Sequence, residues 1–123
     1  MVAKTPKTRK AKGRKFQQEI ARRISEVLGI PVEKDGDIES RPMGQSGPDV
    51  ILRGAAKELF PFVVETKFCE KWDIHKWIKQ ARQYGDNWLL FCKKARNKPV
   101  VVMDCDIFFA IYELLFGESH EEE

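Results

Sequence analysis

The chain has 123 residues, 42% apolar and 33% charged, with 22 Lys+Arg against 19 Asp+Glu. That length suits one domain that buries its core without staples, and no apolar run approaches the ~20 residues of a membrane span. Three cysteines, odd in number and without C-x-x-C spacing, argue against a disulfide framework and a zinc cluster. No apolar segment backs the basic N-terminus, so the expectation is an intracellular protein of the cytoplasm or nucleoid, in a reducing compartment.

The net charge of +3 conceals an asymmetry, because all 22 basic residues and twelve of the acidic ones precede residue 99, leaving +10 there. Seven acidic residues follow, from Asp104 to Glu123. A basic body favours a polyanionic partner, nucleic acid before an acidic protein. Residues 1–15 carry Lys4, Lys7, Arg9, Lys10, Lys12, Arg14 and Lys15, with no large apolar residue between Val2 and Phe16. This stretch is expected to be a flexible basic arm whose lysines and arginines contact phosphates.

From Phe16 the periodicity is helical. Phe16, Ile20, Ile24, Val27 and Leu28 fall on one face, and Gly29 and Pro31 stop the helix. Asp35-Gly36-Asp37 marks a turn, residues 38–41 a short strand, and 43–48 a loop. Residues 49–53 form a strand, with 54–58 as a plain connection. The apolar stretch 59–68 is a strand starting near Phe62, since Pro61 is tolerated only at a strand's beginning. Residues 70–84 turn helical and Gly85 ends them. Strands follow at 88–92 and 99–103, joined by the basic segment 93–98. Asp104 caps a last helix, 105–116, stopped by Gly117. Strands interleaved with helices predict an α/β domain over 16–117, a mixed β-sheet sandwiched between helices, followed by an acidic tail at 118–123.

In the last helix only Glu113 is charged between Ile107 and Phe116. A helix apolar all round has no solvated face. One face can pack on the sheet; the other is expected to be buried in a homo-oligomer through the 105–116 helix.

The chemistry concentrates in Gly47-Pro48-Asp49 and Glu65-Thr66-Lys67. Glu65 and Lys67 alternate on a strand and share one face. Pairing of that strand with the one begun by Asp49, as a hairpin, sets the two carboxylates side by side. Two carboxylates and a lysine suit phosphodiester hydrolysis. Asp49 and Glu65 supply hard oxygens for Mg²⁺, with Mn²⁺ as a substitute. Lys67 orients or helps deprotonate the attacking water, or steadies the developing charge. Gln45 and Ser46, just before Pro48, can touch the phosphate. Arg41, Lys71, Lys76, Lys79 and Arg82 add to a basic DNA-facing surface.

The pattern Pro48-Asp49 followed by Glu65-Thr66-Lys67, between a preceding and a following helix, resembles the PD-(D/E)XK nuclease superfamily, which includes restriction endonucleases, Holliday junction resolvases and repair exonucleases. The resemblance spans about Phe16 to Met103. It implies a three-layer α/β/α fold with an αβββαβ restriction endonuclease-like core, and a metal-dependent deoxyribonuclease. It also implies that an acidic residue of the first helix, here Glu19, reaches the metal. Gln80 to Tyr84 is similar to the Q-x-x-x-Y signature of the exonuclease branch, which turns both toward site or DNA; Tyr84 also suits a half-buried core position. The small chain and the inferred interface favour a structure-selective, junction resolvase-like endonuclease, from a virus or mobile element by its size. An exonuclease of the same superfamily and a non-catalytic nucleic-acid-binding module are the alternatives.

Overall fold

The structure, a computed structural model, describes residues 6–117; the expectations for residues 1–5 and for the acidic tail lie outside them. The elements run α1 (Pro6–Leu28), β1 (Ile38–Ser40), β2 (Val50–Leu52), α2 (Gly54–Leu59), β3 (Val63–Phe68), α3 (Ile74–Arg82), β4 (Trp88–Lys93), β5 (Val100–Val102) and α4 (Cys105–Phe116). The strands form one sheet in sequential order, parallel between β3 and β4 and antiparallel elsewhere. The parallel pair needs a crossover, which α3 supplies.

Strand alternation sorts the core into two sides. Ile38, Val50 and Val64 meet Phe16, Ile20, Ala21 and Ile24 of α1, with Phe68 edge-on to Phe16 at 6.2 Å. On the other side Val63, Leu90, Cys92 and Val102 pack with Trp77 and Ala81 of α3. The α/β class and mixed sheet agree with the sequence reading.

Three local expectations change. Residues 6–15 are not an arm: they are the opening turns of α1, continuous with 16–28. Lysine, arginine and alanine are good helix formers, and extending an existing helix costs far less than nucleating one. Val27, expected on the buried stripe, is 81% exposed. The connection after β2 is the short helix α2, with Ala56 buried; six residues are too few to display a period. Gly29 ends α1 as expected, with φ +71° and its amide on the Ser25 carbonyl at 2.8 Å.

Candidate active site

The site lies where β2 and β3 part. These strands are joined through α2, so they are not a tight hairpin, and their ladder holds one register pair, Val50 with Val64. The Asp49 amide still donates to the Val64 carbonyl at 2.9 Å. One residue further the strands diverge, and the Thr66 amide has no strand carbonyl to meet. It donates instead to Asp49 Oδ2 at 2.7 Å. The carboxylate thus caps the opening sheet, which explains why an acidic residue sits at the head of β2.

Register brings Asp49 opposite Glu65, and the two carboxyl groups share a hydrogen bond. Glu65 is 8% exposed. Burial pushes its pKa up to about 9, the hydrogen bond and charge of Asp49 add to the rise, and Lys67 and Arg41 oppose it. A carboxyl pair this close cannot ionise twice at low cost, so the pair retains a proton at neutral pH. Lys67 follows on the same face, its Nζ 6.0 Å from the centre of the Trp77 ring. The pair is the hard-oxygen set that could hold a divalent cation. Mg²⁺ asks for one or two carboxylates and keeps waters, so two suffice. Among the described residues no group of three or more His, Cys, Asp or Glu side chains is arranged to hold a metal.

A cleft of about 260 Å³ opens beside Asp49 and Thr66, walled by Gly13 and Gln17 of α1 and by Arg41 and the 42–45 loop. Arg41 is built into this wall. Its amide donates to the Asp49 carbonyl at 2.8 Å and its Nε to the Pro48 carbonyl at 2.6 Å. Its guanidinium lies so close under Gly47 that a Cβ there would stand 2.5 Å from Cζ. With φ at +126°, Gly47 is the residue type this turn requires. Arg41 therefore fixes the Gly47-Pro48-Asp49 turn and adds positive charge near Glu65, whereas the sequence suggested an exposed DNA contact.

The remaining expected residues distribute unevenly. Glu19 is two residues past Gln17, about 200° around the helix, and is not part of the cleft wall. Gln80 on α3 keeps a buried Oε1 without a hydrogen-bond partner. Because α3 runs back along β3, with Trp77 at Lys67 and Gly85 against Val63, Gln80 falls near the level of Glu65. Tyr84 is 42% exposed, which removes it from the core. Ser46, Lys76, Lys10, Arg14 and Lys15 are exposed. Lys12 and Lys71 are joined by Arg9 around a separate cavity at the end of β3, with Phe68 in its wall.

Sequence reasoning missed Gln17. It is buried, and its Nε2 donates to Ser40 Oγ and to the Arg41 carbonyl, both at 2.7 Å. It thereby ties α1 to the end of β1, where Arg41 in turn bonds the Pro48 and Asp49 carbonyls. The signal was present: Gln17 falls between Gly13 and Ala21 at four-residue spacing, on the flank of the Phe16–Ile20–Ile24 stripe.

A family model described as "phage putative PDDEXK endonuclease" matches residues 8–120. No curated protein and no solved structure matches the chain. The match takes in nearly the whole chain, including all of the cleft, and the protein belongs to this phage PDDEXK endonuclease family.

Proposed function

We propose that this chain hydrolyses DNA phosphodiester bonds in a divalent-metal-dependent reaction, as a structure-selective, junction resolvase-like endonuclease on a three-layer restriction endonuclease-like core. The observation that carries the reading is the Asp49–Glu65 carboxyl pair, with Glu65 buried and Lys67 two residues on, where β2 and β3 part and Asp49 and Thr66 line the neighbouring cleft. A pair of acids that must hold a proton to coexist is poorly suited to a stability role. It is suited to receiving a cation.

Asp49 and Glu65 hold the ion, Mg²⁺ with Mn²⁺ as its substitute. When bound, the ion neutralises charge on the scissile phosphate and lowers the pKa of water. The protein's own groups do the rest. Thr66 N–H and Arg41 fix Asp49 in place. Lys67 sits two residues along the same strand face as Glu65, so its ammonium can orient the attacking water and steady negative charge as it develops on phosphorus-bound oxygen. Gln80 offers a buried acceptor at the same level of the sheet. The exposed cations of α1 with Lys71 and Lys76 hold the flanking phosphates. Structure selectivity follows from the short loops, which leave little to read base edges.

The deciding assay compares a four-way junction, a linear duplex, single strands and a supercoiled circle, each with Mg²⁺, Mn²⁺ or EDTA. Cutting that needs the metal, prefers the junction and disappears in Glu65→Ala is the expected result. Cutting of the linear duplex as fast as the junction would remove the structure selectivity. DNA binding without cutting under every condition would reduce the protein to a binding module.

A further inference from the structure

The helix α4 reverses the usual partition of apolar groups. None of its residues is buried, although Phe108, Phe109, Tyr112, Leu114, Leu115 and Phe116 all belong to it. Among the described residues its rings meet only one another, Phe108 edge-on to Phe109 at 5.2 Å and Tyr112 against Phe116 at 5.1 Å. A second unfilled apolar surface lies elsewhere on the chain. A groove of about 300 Å³ runs between α1 and the β4–β5 edge, walled by Val27, Phe60, Phe91, Val100 and Val101, with Arg23 beside them.

We infer that these two surfaces belong together across two copies of the chain, each copy laying its α4 into the groove of the other. Three observations select a second copy over the chain's own helix or an unrelated partner. The first is the anchoring of α4. Only Met103 and Asp104 separate β5 from α4. Asp104 accepts from Arg82 Nη2 at 2.6 Å and from Trp88 Nε1 at 3.1 Å, on the α3 side of the sheet. Phe91 and Val101, paired in the ladder, belong to the α1 side. A helix rooted on one side by a two-residue link cannot fold over the edge to fill a groove on the other.

The second observation is charge. The ionisable residues of α4 that change its charge are Asp106 and Glu113, with no basic residue in its last turn, and the groove presents Arg23. The third is area. Four aromatic side chains of about 200 Å² each, half to two-thirds exposed, offer on the order of 400 Å² per copy before the leucines are counted. Two helices and the two grooves they cover bury on the order of 1,000 Å², about what a specific interface must clear. Reciprocal exchange also closes on itself as a two-fold dimer and leaves no helix unpaired.

The inference does not depend on catalysis, and its test reads mass. Sedimentation of the full chain at micromolar concentration should give twice the 14.3 kDa chain mass. Leu115→Glu in α4 and Val27→Glu in the groove should each give a monomer with an unchanged circular dichroism spectrum. Both sites are free to accept glutamate in the monomer, at 68% and 81% exposure. If a glutamate variant fails to fold, Leu115→Ser and Val27→Ser must each weaken dimerisation at least tenfold. A monomeric wild type overturns the inference. So does a Val27→Glu protein that stays dimeric while Leu115→Glu does not, because α4 would then be pairing with something other than the groove.

Discussion

The cleft at Asp49 and the helix α4 break the same rule in opposite directions. At the cleft, the Glu65 carboxyl is withdrawn from water beside a second carboxylate; at α4, four aromatic rings are left in it. Each arrangement costs free energy in the isolated chain, and each cost is relieved by a different agent. Burial of Glu65 is relieved by a proton or a cation, so the cleft should respond to pH and divalent ions. Exposure of α4 is relieved by apolar contact, so that end should respond to protein concentration. A variant at one region that alters the response of the other would show that the two are coupled.

The largest effect should come from the cleft. Glu65→Ala and Lys67→Ala are each expected to lower the cleavage rate about 10²–10³-fold, with DNA affinity changed only a few-fold. Gel assays of cleavage and filter binding on the same substrate separate the two readouts. Loss of affinity in parallel with cleavage would mean that these residues hold DNA and do not act on it. Leu115→Glu is the matching test from the other region: it should change mass and leave cleavage of a linear strand by each subunit intact.

The next effect is on stability. Glu65 binds its proton more tightly in the folded chain than in the unfolded one, about 9 against 4.5. Folding therefore takes up a proton between those values, and the contribution to stability falls as pH rises through that window. It is fully present below 4.5 and is lost as pH climbs through about 9. Glu65→Gln keeps the shape and removes the titration. Its melting temperature at pH 9 should exceed that of the wild type by several degrees, and the two should converge near pH 4. Divalent ions should bind the wild type more tightly as pH rises, with release of a proton. Melting curves that run parallel across this range would show that the buried pair does not carry the proton.

These properties divide cleanly by how far they could be read from residue order. The strand face shared by Glu65 and Lys67 was legible because period-two alternation is local. So was the apolar character of α4, a matter of composition. Asp49 beside Glu65 was legible through strand pairing, although α2 intervened where a simple turn was expected. Residues 6–15 were misread because their charge suggests disorder, while their propensity and their attachment to a stable helix favour another turn or two. Glu19 and Gln17 show the finer limit. Which of two near neighbours on a helix meets a cleft depends on the angle at which α1 crosses the sheet, and that angle is set by packing among Phe16, Ile20, Val64 and Phe68. No spacing rule contains it.

That angle can be tested at Gln17. Its two hydrogen bonds hold Ser40 and Arg41, and Arg41 in turn holds the turn that begins β2. Gln17→Ala should lower stability by about 1–3 kcal/mol, the value of two partly buried bonds, and slow cleavage about tenfold by loosening Asp49. Urea melts and single-turnover rates read these separately. An unchanged rate alongside the lost stability would confine Gln17 to holding the fold.

Glu19 should give the smallest effect, and it bears directly on the composition of the site. If the first helix supplied a third carboxylate, Glu19→Gln would weaken metal binding and cut the rate by orders of magnitude, as Glu65→Ala does. The structure turns Glu19 about 200° around α1 from Gln17, the residue that α1 directs at Arg41 beside Asp49. The expected change in rate is therefore less than twofold at saturating Mg²⁺, and the Mg²⁺ concentration giving half-maximal rate should stay the same. Measuring that concentration matters more than the rate, because an ion held by two carboxylates and an ion held by three differ first in affinity. A several-fold increase in the Mg²⁺ required would mean that α1 rotates or shifts when substrate and ion enter, bringing Glu19 to the site in place of Gln17.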